Sequence, residues 1–248
     1  MQNTFPENCR VFITGGTGSI GRALVEGFSR VGTKVGFQYF QNETRAKEIE
    51  SITGAIGVRI DFATSSVPTL DRVDILVNNA GINISKVSVE DTTEEEWDRT
   101  LQVNARTPML LARAVLPQMK QRRWGRIINI SSIYGIRIAS NNAAYNVSKH
   151  GLRGLTGSIA KEYGPYGITC NELCPGPVAS DLLRRIAEAN YARTGIGIDA
   201  YEERLASAIP VGRIASPSDV VNAAVWLASK ESSYVNGVSL PIDGGMTI

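Results

Sequence analysis

Tyr145 and Lys149 stand four residues apart in "YNVSKHGLRGLTG" (145–157). On a helix that spacing brings both side chains to one face. A tyrosine with a pKa near 10 is a poor base at neutral pH, and lowering it by about three units takes roughly 4 kcal/mol of preferential phenolate stabilisation. A neighbouring ammonium supplies charge of the right sign. Of the 8 tyrosines in the chain, Tyr145 alone has a lysine at this spacing. The same pair on a solvated helix would do nothing, so the reading needs a third group. "GRIINISS" (125–132) provides one, because Ser131 and Ser132 close a β-branched run. Open α/β sheets bind ligands at such strand ends. A hydroxyl there and a tyrosine could share a substrate oxygen, and the chemistry would be proton transfer to a carbonyl or from an alcohol.

A second candidate is made of backbone. "VFITGGTGSIGRAL" (11–24) sets Gly15, Gly16, Gly18 and Gly21 between a predicted strand and a predicted helix. Glycine allows a sharp turn and close approach. The exposed N–H groups and dipole of the helix start then favour a pyrophosphate. A ligand-free glycine turn is the plainer alternative. The motif's place after the first strand favours the dinucleotide fingerprint.

Elements that could position these groups alternate along the chain. Strands are predicted at 10–14, 34–39, 56–60, 73–79, 125–131, 167–174 and 237–242, with helices near 19–31, 43–52 and 95–122. Such alternation predicts a doubly wound sheet of about seven parallel strands with helices on both faces, joined by right-handed crossovers. The segment 181–209 has no place in the alternation and reads as a helical insertion between strands six and seven, hinged at Gly195 and Gly197. Only 12 residues (62–73) separate Asp61 from Asp74, too few for the usual crossover helix, so one sheet face should be thinly covered there.

Composition excludes other classes. A net charge of +2 without like-charge blocks argues against nucleic acid or an anionic membrane as partner. No apolar run reaches the ~18 residues of a membrane span, and the start lacks a signal-peptide core. Three cysteines and one histidine, His150, make neither a disulfide framework nor an imidazole metal site. A cytoplasmic protein is expected. His150, Cys170 and Cys174 read as structural, and "RRW" (122–124) as a solvated turn.

Taken in order, "TGGTGSIG" (14–21), "NNAG" (78–81), Asn104 in "LQVNA", Ser132 closing "ISS", "YNVSK" (145–149), "PGPVAS" (175–180) and "SLPIDGG" (239–245) resemble the short-chain dehydrogenase/reductase family, most of all its 3-oxoacyl-(acyl-carrier-protein) reductase-like members. The resemblance implies a single Rossmann-fold domain over 1–248, with 181–209 as substrate lid. It implies Tyr145 as general acid/base, Lys149 as its activator, Ser132 as substrate-oxygen partner and Asn104 as anchor of a water-linked proton path. It places cofactor phosphates at Gly15, Thr17, Gly18, Ser19, Ile20 and Gly21. Asp61 and Phe62 would flank the adenine. Asn79, Ala80 and Gly81 would lie against its ribose, and Pro175, Gly176, Val178 and Ser180 on the nicotinamide side, where Tyr145 and Lys149 also touch cofactor. A serine stands at position 19 where the family has glycine; a small hydroxyl still fits.

The tip of strand two, "FQYFQNETR", carries Tyr39 and no acid before Glu43, which favours NADP over NAD; Asn42, Thr44 or Arg45 could meet the extra phosphate. The expected reaction is NADP-dependent reduction of a 3-oxoacyl thioester or similar ketone. NAD-dependent oxidation of a sugar, polyol or hydroxy acid is the alternative, and a non-catalytic cofactor sensor the more distant one. In the lid, Leu182, Leu183, Ile186 and Ile196 could face an acyl chain or form helix core. Glycines at 151, 154 and 157 each cost about 1 kcal/mol inside a helix. Such a smooth ridge suits close packing of subunits, and the resemblance implies a homotetramer or homodimer built on this helix and the 95–122 helix.

Overall fold

The computed structural model describes residues 4–64, 67–84 and 86–248. Seven parallel strands form one sheet in the order β3-β2-β1-β4-β5-β6-β7. They are β1 (Arg10–Ile13), β2 (Lys34–Tyr39), β3 (Ile56–Arg59), β4 (Ile75–Asn78), β5 (Gly125–Ile130), β6 (Ile168–Pro175) and β7 (Ser239–Ile242). The order reverses between β1 and β4, the switch point at which open sheets open a crevice. The helices are α1 (Ser19–Arg30), α2 (Glu43–Thr53), α3 (Glu94–Leu101), α4 (Thr107–Arg122), α5 (Ala143–Tyr163), α6 (Asp181–Thr194), α7 (Ile198–Ser207) and α8 (Pro217–Ala228).

Side chains alternate across the strands. Val11, Ile13 and Phe37 join Leu24, Phe28 and Val220 beneath α1, α2 and α8. Phe12, Leu76 and Ile127 join Leu111, Val115 and Ile159 beneath α4 and α5. All residues of β4, β5 and β6 are buried. That is why β4 reads as an apolar run rather than as alternation, while β5 and β6 carry polar residues such as Asn129, Asn171 and Glu172 into the buried layer.

Two expectations are corrected in detail. The single helix expected over 95–122 is α3 and α4 joined by a π-helical turn, Gln102–Arg106. Pro108 follows at once, and it has no N–H to give the carbonyl of Asn104, four residues back. The helix α8 was not expected at all, although Ser216 and Asp219 form a capping box with Pro217 at its first turn, a legible start signal.

The short crossover behaves as its length demands. Among the described residues, 60–74 hold no helix, and residues 65 and 66 lie outside them. Phe62 and Val73 are buried, with Val67 and Leu70 beside them, as a plug of side chains on the α4 face. Gly57 takes the Glu50 Oε1 acceptor at 2.8 Å and so faces α2. Its neighbours Ile56 and Val58 therefore point to the other face, where they stay 70% and 41% exposed.

Candidate active site

The turn after β1 is built from backbone held by side chains. Gly15 has φ +68°, and a methyl group on it would meet the Ala80 Cα at 3.0 Å. A methyl group on Gly21 would collide with the Gly15 carbonyl oxygen, so α1 packs directly over the turn. Thr14 Oγ1 accepts from the main-chain N–H of both Asn79 and Ala80 at 2.9 Å. The Asn79 amide donates to the Thr14 carbonyl at 2.8 Å. Gln38, buried in β2, accepts from Gly15 N–H at 2.9 Å. Gly18 caps α1 without any side-chain hydrogen bond, which leaves the first-turn N–H groups of α1 turned to the crevice. An uncapped helix start beside a glycine cradle fits a pyrophosphate.

Around this turn lie Arg45 and the start of α6. The Arg45 guanidinium donates to the Thr17 carbonyl at 3.1 Å and to Asp181 at 2.7 Å. Asp181 N–H donates to Ser19 Oγ at 3.0 Å. Asn42 caps α2 by accepting from Arg45 N–H, so its oxygen is already engaged.

Across the crevice, Tyr145 and Lys149 rise from the first turns of α5 and Ser132 from the end of β5. Burial pushes the Tyr145 phenol up to about 12, with Ser132 close enough to act against the rise. Ser131 is buried and turned against Gly135, away from the crevice. Lys149 is 3% exposed, and its Nζ donates to the Ile130 carbonyl at 2.9 Å. It lies 5.6 Å from the centre of the Tyr145 ring. Burial pulls its ammonium down to about 8. A methyl group on Gly81 would stand 3.4 Å from this Nζ, so Gly81 lies directly against the lysine. Asn104, set by the π-turn, clamps both main-chain groups of Ile82 at 2.8 Å and donates to Ser148 Oγ at 3.0 Å. The loop after β4 is thereby fixed to the helix that carries the tyrosine.

A family model described as enoyl-(acyl carrier protein) reductase matches residues 15–247. The chain belongs to the short-chain dehydrogenase/reductase family. It is 32% identical to a 3-oxoacyl-(acyl-carrier-protein) reductase of Rickettsia bellii, covering 94% of this chain and 95% of that one. It is 31% identical to a D-beta-hydroxybutyrate dehydrogenase of Cupriavidus necator, again over 94% and 95%. Among solved structures, a proposed NAD(P)-dependent gluconate 5-dehydrogenase of Beutenbergia cavernae, with NADP at low occupancy, aligns with TM-score 0.84 and 31% identity over 98% of both chains. This short-chain dehydrogenase/reductase is an oxidoreductase acting on CH–OH or ketone groups with NAD(P).

Most of the residues singled out in the sequence lie at the C-terminal ends of the strands, around β1, β4, β5 and β6. Phe62 turns its ring into the core, leaving only main chain for a ligand, and Asp61 accepts from Ala63 N–H at 2.9 Å. Val178 is also buried, its main chain bridged to Ala215, while Ser180 caps α6. Gly176 N–H donates to the Ile242 carbonyl at 3.0 Å, which ties the end of β6, Pro175, to β7. Ile20 packs half-buried on the α1 core. In the segment 181–209, Leu183 is buried, whereas Leu182 and Ile196 are exposed at 51% and 37%. His150 bonds its own helix at Asn146 O. Arg122 of "RRW" proves to be a strut, paired at 3.2 Å with buried Asp74. Sequence reasoning gave no role to Thr14, although it opens "TGGTGSIG", and missed Gln38 and also Asn142, whose amide atoms are buried beside Tyr145 without a hydrogen-bond partner among the described residues. With Asn83, Val87, Thr92 and Thr100, Asn142 lines a narrow cavity that reaches Tyr145.

Proposed function

We propose that the chain reduces a ketone, a 3-oxoacyl thioester or a close analogue, with NADP(H). The observation that carries this reading is a half-buried tyrosine, its phenol pushed up to about 12 and so protonated at neutral pH, with Ser132 beside it at the mouth of the crevice. A protonated phenol is ready to give a proton to a carbonyl oxygen held between it and Ser132. The Lys149 ammonium is held on Ile130 O, and desolvation is the largest influence on the phenol. The lysine acts once a ligand is bound, favouring the phenolate left after transfer. The glycine turn would hold the cofactor phosphates and Asp61 its adenine end. Bound there, the nicotinamide supplies hydride exchange at the carbonyl carbon.

Two features support the finer assignments. Arg45 is the cation beside the phosphate turn, and the tip of β2 offers no carboxylate to repel a 2′-phosphate. A 3-oxoacyl thioester carries a second carbonyl that needs a donor, and the Asn142 amide offers one. We assign α6 and α7, broken at Gly195 and Gly197, as the substrate lid in a cytoplasmic homotetramer packed along α4 and the exposed glycines of α5. The β-hydroxybutyrate dehydrogenase relative keeps NAD-dependent hydroxy-acid oxidation as the second reading. Initial rates with NADPH and NADH against acetoacetyl thioesters, gluconates and hydroxybutyrate decide between them. The proposal expects the highest kcat/KM for thioester with NADPH, and about tenfold loss of NADPH preference in Arg45→Ala. Fastest turnover of a hydroxy acid with NAD would replace it.

A further inference from the structure

Glu172 lies in the middle of β6, 0% exposed, and takes no part in the chemistry described above. On its strand face it stands between Cys170 and Cys174, under α5. One carboxyl oxygen accepts from Cys174 Sγ at 3.6 Å, while the other, Oε2, is buried with no hydrogen-bond partner among the described residues. The groups that face it are Lys149 and Arg153 from α5, Ser239 from β7, and the two thiols on its own strand. Arg153 is exposed, so water screens it. Lys149 is not. Its Nζ is fixed on Ile130 O, and Ile130 pairs in register with Leu173, next to Glu172 on β6. The carboxylate and the ammonium are therefore neighbours in a water-free layer, without a direct ion pair among those found.

Burying an unpaired carboxylate costs several kcal/mol. Burial accordingly raises the Glu172 carboxyl above its ordinary value, and Ser239, the Cys174 thiol, Arg153 and Lys149 act to lower it again, Lys149 being the buried cation among them. The interaction is mutual: burial lowers the Lys149 ammonium, and Glu172 is the largest influence raising it again.

We infer that Glu172 is a positioning residue of the reaction, the buried counter-charge that keeps Lys149 protonated through the neutral range, so that the lysine can act on Tyr145. It touches neither substrate nor cofactor and works through the lysine alone. The inference rests on the dehydrogenase reading for its assay.

The test is the pH profile of kcat/KM for Glu172→Gln, with Glu172→Met, neutral and of similar volume, as second variant in case a buried amide disturbs folding. Melting temperature is measured alongside. Losing the counter-charge lets Lys149 deprotonate sooner, so the alkaline limb of alcohol oxidation moves about one unit to lower pH, a roughly tenfold loss at its high-pH end. Both variants stay folded, and melting at pH 7 falls modestly, since the Lys149 ammonium is left buried without its counter-charge. Glu172→Asp restores the limb in part. Folded variants whose alkaline limb does not move overturn the inference while leaving the enzyme reading intact. A native chain that turns over no carbonyl or alcohol defeats the enzyme reading instead.

Discussion

β6 and β3 belong to one sheet and obey different rules. β6 runs for 8 residues, all buried, flanked by β5 and β7 and covered by α5. β3 has 4 residues at the sheet edge, with a helix on one face only. The proposed reacting groups, Ser132, Tyr145 and Lys149, stand beside the first. Asp61, the proposed adenine end of the cofactor site, follows the second. Proton transfer needs side chains placed to within fractions of an ångström, which packing on all sides provides. Holding an adenine needs only a turn and some main chain, so the thin edge suffices.

The contrast is broken or sharpened by substitutions on each side. Ile128→Ala, in the buried neighbour of β6, removes side-chain volume from a site with 0% exposure. It should cost about 2–5 kcal/mol in a denaturant melt. Lys149→Met should act in the opposite sense. The native ammonium is depressed from 10.5 to about 8, so below pH 8 the folded protein bears a desolvation cost that the unfolded chain escapes. The native protein recovers that stability as pH rises from about 8 to 10.5, because there the unfolded state holds the extra proton. Below pH 8 the variant sheds that cost but leaves the Glu172 carboxylate without its buried cation, so its advantage should stay under about 3 kcal/mol and fade towards 10.5, while activity is lost throughout. On β3, Ile56→Thr should change stability by less than about 0.5 kcal/mol, visible as an almost unmoved midpoint. A loss near that of Ile128→Ala would mean that something covers this edge.

The same contrast decides what was legible. Buried strands and glycine turns announce themselves, because continuous apolar runs and positive-φ turns leave few alternatives; β2 was placed over 34–39 and found there. Ser132, Tyr145 and Lys149 were legible as types at fixed spacings. The π-turn at Asn104 was not, since it follows from Pro108 acting on a ladder that single-residue propensities ignore. Glu172 was hidden for a different reason. A carboxylate within "GITCNELC" reads as a strand residue of unknown facing, and only the burial of both faces of β6 makes it unusual. The bare face of β3 was foreseen from chain length alone, because 12 residues cannot span a crossover and also form a helix.

The central claim is that the Tyr145 hydroxyl is the proton donor and acceptor of this enzyme. Tyr145→Phe tests it most directly, with cofactor titrated by fluorescence and turnover measured on the same preparation. The account predicts cofactor affinity within about twofold of native and a loss of kcat/KM of about 10²–10⁴. Turnover at the native rate with the ring hydroxyl gone would contradict it.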